Sequence, residues 1–287
     1  MTQKQTFPYF VFLKKLVLCI ALVYCGLVLV LYFMQRRFIY VPVKGLPTEI
    51  TMSGHGIFHD FPVTTQDNLP LRGWMISPQE HSDSVLLFFH GNGGNISHRL
   101  EKITPYVQAG YHVLLAEYRG YGDNAGEPTE EGLYQDARAY YEALITLGFK
   151  PEHIILHGES LGTGVAVQLA SEKTVGALVL ETPYARLSDP ARKKYPFIPF
   201  IEAIMHDTFA SEEKIAKMGM PKLFLIAGKD EVLGPETGLA LYEKAPEPKT
   251  IKTFEQATHN TLYQYGAQAD VLRFVSAFRD NTPVSKH

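Results

Sequence analysis

The sequence predicts an α/β domain, a mostly parallel sheet flanked by helices, preceded by one N-terminal transmembrane helix. Three observations carry this prediction. Leu16 to Gln35 is a run of twenty residues without a charge; short apolar runs recur along the rest of the chain; and stretches with helical spacing separate them. Strand, helix, strand, helix requires crossovers, and crossovers make neighbouring strands parallel.

The charge-free run comes first. At about 1.5 Å per helical residue it reaches about 30 Å, the thickness of a hydrocarbon core. A cleaved signal would have a shorter apolar region ending at small residues, whereas Tyr32-Phe33-Met34-Gln35-Arg36-Arg37 is bulky and then basic. Residues 1–37 are therefore expected to be an uncleaved, single-pass membrane anchor, and 38–287 the globular domain. Lys14 and Lys15 before the run balance Arg36 and Arg37 after it. The positive-inside count is thus a tie, and the body is expected outside the cytoplasm.

Ile57 to Val63 and Leu69 to Ile76 flank the turn-like Thr65-Gln66-Asp67-Asn68 and are expected to form an antiparallel opening hairpin. The later apolar runs are Val85 to Phe89, His112 to Ala116, Ile154 to Leu156, Ala177 to Leu180 and Lys222 to Ala227, followed by a Lys249 to Phe254 segment. Continuous apolar character marks strands buried on both faces. Helices are expected at Ser97 to Gln108, Glu130 to Leu147, Leu161 to Ser171, Pro235 to Lys244 and Thr261 to Phe278. Thr182 to Met220 is left as a short helical cap, made apolar by residues such as Tyr195, Phe197, Ile198, Phe200 and Ile201. These side chains are expected either to pack the cap onto the body or to line an acyl groove and touch the bilayer.

Composition narrows the function classes. The chain has 287 residues, 46% hydrophobic and 20% charged, enough for a buried core. Its 27 Lys and Arg against 30 Asp and Glu offer no cationic surplus for a phosphate backbone, so no nucleic-acid partner is expected. The first forty residues hold five cations and no acid, leaving the body acidic. Cys19 and Cys25 both lie in the apolar run and make no disulfide scaffold. The histidines and acids show no ligand spacing, so neither metal nor cofactor is expected.

In a parallel sheet, chemistry gathers beyond the carboxyl ends of the strands. Gly158-Glu159-Ser160-Leu161-Gly162 stands between the Ile154 to Leu156 run and an expected helix. Gly-x-Ser-x-Gly at such a junction is a nucleophile elbow, which projects the serine hydroxyl at a helix N-terminus. The plainer reading is a serine that caps the helix. A serine needs a base and the base an oriented acid, in chain order Ser, acid, His. Asp230 ends the Leu223 to Ala227 run through Gly228-Lys229, and His259 follows Lys249 to Phe254 on a late loop. Glu181, also at a strand end, is a rival acid, and Glu231 a weaker one. For the oxyanion, His90-Gly91-Asn92-Gly93-Gly94-Asn95 follows Val85 to Phe89, and the expected donors are the N–H groups of Asn92 and Leu161. His90 is expected to hold this loop, and Tyr184 to contact substrate.

On these elements the chain resembles an α/β-hydrolase, and is similar to that family's small, single-pass, membrane-anchored branch. The likeness runs from about Phe38 to the C-terminal helix. It implies Ser160 as nucleophile, Asp230 as acid and His259 as base. Tyr118-Arg119-Gly120-Tyr121-Gly122 resembles the family's Arg-Gly-x-Gly loop, which usually shapes the pocket. The resemblance implies a serine hydrolase acting on a small-molecule ester, thioester or lipid-like substrate, with the membrane as partner through the N-terminal helix. A peptidase or cofactor-free perhydrolase on the same fold, and a non-catalytic membrane scaffold, remain open at this point because a fold does not name a reaction.

Overall fold

The computed structural model describes residues 7–47, 56–80 and 82–281. Lys4 of the basic head, and 48–55, 81 and 282–287 of the expected catalytic domain, lie outside the described residues. The chain opens with helix α1 (Phe7–Ile39), whose apolar stretch Tyr9–Ile39 is long enough to cross a membrane, with mean hydropathy 2.8 in its most apolar window. Strand β1 (Ile57–Thr64) and β2 (Pro70–Ser77) pair antiparallel about the turn at Thr65–Asn68, where Asn68 takes a positive φ.

The remaining strands are β3 (Val85–Phe89), β4 (His112–Ala116), β5 (Ile154–Glu159), β6 (Ala177–Glu181), β7 (Lys222–Ala227) and β8 (Lys249–Phe254). The sheet runs β1-β2-β4-β3-β5-β6-β7-β8, parallel from β4 onward. Alternate side chains of β3 leave on opposite faces: Val85, Leu87 and Phe89 join one core, Leu86 and Phe88 the other. The first core is covered by α3 (Glu130–Thr146), α4 (Leu161–Glu172) and α8 (Pro235–Lys244). The second is covered by α2 (Leu100–Gln108) and α9 (Ala267–Asn281).

Two helices begin later than their spacing predicts. Ile96–Arg99 is a 3₁₀ turn ahead of α2, capped by the Asn95 side chain. Leu262–Tyr265 is another, and Gly266 at φ +91° separates it from α9. The cap between β6 and β7 is three short helices, α5 (Ser188–Lys194), α6 (Ile201–Ile204) and α7 (Ser211–Ile215).

After β3 the chain moves to β4 on one side of it, while β5 lies on the other. Loops leaving β3 and β5 therefore diverge and open a crevice at the carboxyl edge. Phe89 is in register with Gly158, which brings the glycine loop and the serine turn side by side.

Candidate active site

Ser160 sits between β5 and α4 at φ +50°, a conformation that costs a non-glycine residue about 1–3 kcal/mol. Its surroundings over-determine it. The Ser160 N–H donates to the Glu181 carbonyl at 2.9 Å, and its own carbonyl accepts from the Thr163 hydroxyl at 2.7 Å. A Cβ on Gly162 would lie 2.1 Å from the Phe89 carbonyl oxygen, and one on Gly158 would lie 2.5 Å from the Gly162 carbonyl oxygen. Both glycines of the motif are thus demanded by backbone contact.

His259 is delivered by the loop after β8, and Asp230 by the turn after β7. The Lys229 N–H donates to the Ala257 carbonyl at 2.9 Å, tying the two loops together. The imidazole Nε2 lies 2.8 Å from Ser160 Oγ, and Nδ1 lies 2.8 Å from Asp230 Oδ2. A carboxylate only accepts, so Nδ1 carries the proton and Nε2 offers its lone pair to the serine hydroxyl. The other carboxylate oxygen of Asp230 accepts from the N–H groups of Val232 and Leu233, both at 2.9 Å. Burial pushes the Asp230 carboxyl up, but His259 and these two donors outweigh it and hold it below its ordinary value.

The rival acids point elsewhere. Glu181 accepts from Lys102 Nζ at 2.8 Å and approaches His157 Nε2 at 3.4 Å. Among the described residues Glu231 meets the backbone of His259, accepting its N–H at 3.3 Å.

The glycine loop is held by His90, fully buried, whose Nδ1 donates to the Gly91 carbonyl at 2.7 Å while Nε2 meets Glu117 Oε1 at 2.8 Å. Neither the Asn92 nor the Leu161 N–H has an acceptor among the described residues. Tyr184 lines the cleft, yet it is fully buried and its hydroxyl donates to the Leu161 carbonyl at 3.3 Å. Arg119 turns away from the cleft to Asp136 and Asp67, at 2.8 Å each. The loop it belongs to instead shapes the cleft through its tyrosines, with Tyr121 donating to Asn92 Oδ1 at 2.8 Å and Tyr118 to the His90 carbonyl at 3.0 Å.

Sequence reasoning missed how far α1 takes part. Phe38 and Ile39, its last residues, line the same cleft of about 1040 Å³ as Ser160, Asp230 and His259. The Asn92 side chain clasps the helix exit: its Nδ2 donates to the Ile39 carbonyl, and its Oδ1 accepts from Val41 N–H at 2.9 Å. Arg36 pairs with Asp207 of the cap at 3.0 Å. These partners stand between 51 and 171 residues apart, so no local pattern announces them.

A buried carboxylate, an imidazole and a serine hydroxyl thus stand in line, beside two amides with no acceptor among the described residues, at a switch point of a parallel sheet. The sequence signature described as alpha/beta hydrolase fold matches residues 84–199. The chain is 36% identical over 244 residues to an uncharacterized protein of Mycobacterium tuberculosis, covering 84% of this chain and 86% of that one. It is 34% identical over 198 residues to alpha/beta hydrolase domain-containing protein 17B of Xenopus laevis, covering 66% and 65%. Among solved structures, an esterase of Pyrococcus furiosus superposes with a TM-score of 0.68 at 22% identity, over 83% of this chain and 99% of that one. The chain belongs to the α/β-hydrolase family.

Proposed function

We propose that the protein is a membrane-anchored serine hydrolase that cleaves carboxylic ester or thioester bonds in acyl, lipid-like or small ester substrates. Ser160 is the nucleophile, His259 the base and Asp230 the acid, with the amides of Asn92 and Leu161 as oxyanion donors. The observation that carries this reading is the unbroken line from Asp230 Oδ2 through His259 to Ser160 Oγ, with two 2.8 Å contacts at the floor of an open cleft. The likeness to an esterase supports it at the level of fold.

Ser160 Oγ attacks the substrate carbonyl carbon while His259 Nε2 takes the hydroxyl proton, and Asp230 steadies the resulting imidazolium. The carbonyl oxygen becomes an anion against the two free amides, where loss of one donor typically costs about 3–4 kcal/mol of barrier. The carbonyl-to-oxygen or carbonyl-to-sulfur bond then breaks, and the leaving group receives the proton from His259. Water repeats the sequence on the acyl-enzyme, giving up a proton to the same nitrogen and releasing the acid and free Ser160. Within this reading residues 1–37 are the anchor, 38–287 the catalytic domain, and Tyr184 bears on substrate by backing the Leu161 turn.

Ser160→Ala tests the assignment. The full-length protein is expected to react covalently with a fluorophosphonate probe and to hydrolyse p-nitrophenyl esters, and the variant to do neither while keeping its melting temperature. Equal labelling of both proteins would refute the nucleophile.

A further inference from the structure

The carboxyl-terminal half of α1 carries a stripe, Tyr24, Val28, Leu31, Tyr32, Gln35 and Ile39, that is half-buried, while residues 9–23 are exposed throughout. The spacing is that of one helical face, and the cap lies against it. Tyr24 Oη donates to the Phe197 carbonyl at 2.8 Å, Gln35 Oε1 accepts from His206 N–H at 2.7 Å, and Tyr32 stacks edge-on against His206 at 4.5 Å. Tyr24 lies about 16 Å along the helix from Gln35, roughly half the thickness of a hydrocarbon core. If α1 is the anchor proposed above and Arg36 and Arg37 stand at the headgroup level, the Tyr195–Phe200 turn lies at the depth of the leaflet. Phe197 and Phe200 are 52% and 81% exposed there, side chains that belong in lipid and not in water.

Between α1 and the cap runs a slot of about 90 Å³, walled by Val28, Leu31, Ile198 and Ile201. Its one amide, on Gln35, is already engaged with the backbone of Ile204 and His206. Phe38, Tyr195 and Met205 line both this slot and the cleft above Ser160, so the two spaces adjoin with these side chains between them. A space of this volume holds a few methylene groups at a time. Also bordering Ser160 is a polar compartment of about 300 Å³, where Arg99 and Lys102 are paired with Glu159 and Glu181.

We propose that the slot between α1 and the cap is the route by which the acyl chain of a bilayer lipid ester slides from the leaflet to Ser160. The inference rests on the serine hydrolase reading and names its substrate class, an amphiphile whose chain enters through the slot while its polar leaving group faces Arg99 and Lys102. A chain already in the leaflet reaches the nucleophile without crossing water. A small soluble ester would have no use for an apolar doorway opening below the headgroups.

The test uses the full-length chain in phosphatidylcholine nanodiscs, with umbelliferyl palmitate and umbelliferyl acetate as substrates. Leu31→Trp combined with Ile201→Trp fills the slot. Losing the burial of two methylenes is already worth roughly tenfold, so palmitate turnover is expected to fall at least that far relative to acetate, with fluorophosphonate labelling at the wild-type rate. Palmitate and acetate turnover that change together, or not at all, would overturn the route. Because two tryptophans can unsettle the cap, a second measurement uses Ser160→Ala and a phosphatidylcholine carrying a diazirine in its acyl chain. Photo-adducts at 28–39 and 195–205 support the proposal, and adducts confined to 9–23 overturn it. That readout needs no catalysis, so it separates failure of the route from failure of Ser160 as nucleophile, which absent wild-type labelling would reveal. Adducts at the slot from an S-palmitoyl peptide but not from the lipid would overturn the assignment to a lipid ester.

Discussion

Gly162→Ala is the sharpest perturbation the site offers. The added Cβ would lie 2.1 Å from the Phe89 carbonyl oxygen and 2.9 Å from that of His90, both main-chain atoms. No side chain can swing aside, so α4 must lift from the end of β3. Overpacking a well-packed core costs about 1–3 kcal/mol, and contact with backbone on a central strand places this variant at or above the upper end. At roughly 2–4 °C per kcal/mol for a chain approaching this size, Tm should fall by about 6–12 °C. The same displacement separates Leu161 from Asn92, the two proposed oxyanion donors. Loss of one such donor lowers kcat roughly 100- to 1000-fold, and KM should change little. Gly93→Ala in the neighbouring loop is the control for stability, since its Cβ would meet nothing within 4 Å. Differential scanning fluorimetry and p-nitrophenyl ester kinetics on both variants decide the matter. A Gly162→Ala protein with the wild-type Tm and kcat would refute the argument that backbone contact fixes the serine turn.

Other outcomes follow from the same geometry. Asp230→Asn keeps the shape but turns the His259 tautomer, and kcat should fall on the order of 10⁴-fold, measured as ester turnover with Tm nearly unchanged. Burial pushes Glu159 and Glu181 up, yet Lys102, aided by Arg99 on Glu159 and His157 on Glu181, holds both below the ordinary carboxylate value of 4.5. A depressed carboxylate contributes stability above its unfolded pKa and loses it as pH falls through the folded one. Lys102→Met should therefore cost about 3–5 kcal/mol at neutral pH, and the gap to wild type should narrow as pH drops below about 4.5. Urea melts at several pH values check this, and a gap independent of pH would contradict it. Arg36→Ala leaves Asp207, 3% exposed, without its cation. Since Arg36 is half in solvent the loss is about 1 kcal/mol, and amide exchange across 201–208 should quicken roughly fivefold.

Much of the architecture is legible in the chain because it follows from local pattern. The apolar runs at Val85–Phe89, His112–Ala116 and Lys222–Ala227 are strands over those same residues, since a run that short is too brief for a helix and suits a strand buried on both faces. Departures come where backbone conformation, not hydrophobic period, decides. Gly266 at φ +91° ends one helical turn before the next helix starts, and a periodicity count cannot see it.

The site divides along the same line. By itself the sequence determines which residue types stand at strand ends, because glycines, a serine, an acid and a histidine in those positions are written in order along the chain. What tertiary structure alone decides is which of them meet. The sheet order sets Phe89 beside Gly158 and carries Asp230, not Glu181, to His259. It also folds Phe38 and Ile39, the end of a helix that reads as an anchor and nothing more, into the wall of the cleft. The contacts of that helix cross up to 173 residues, and their partners are chosen by the packing of whole elements. A one-dimensional pattern has no means of recording that distance.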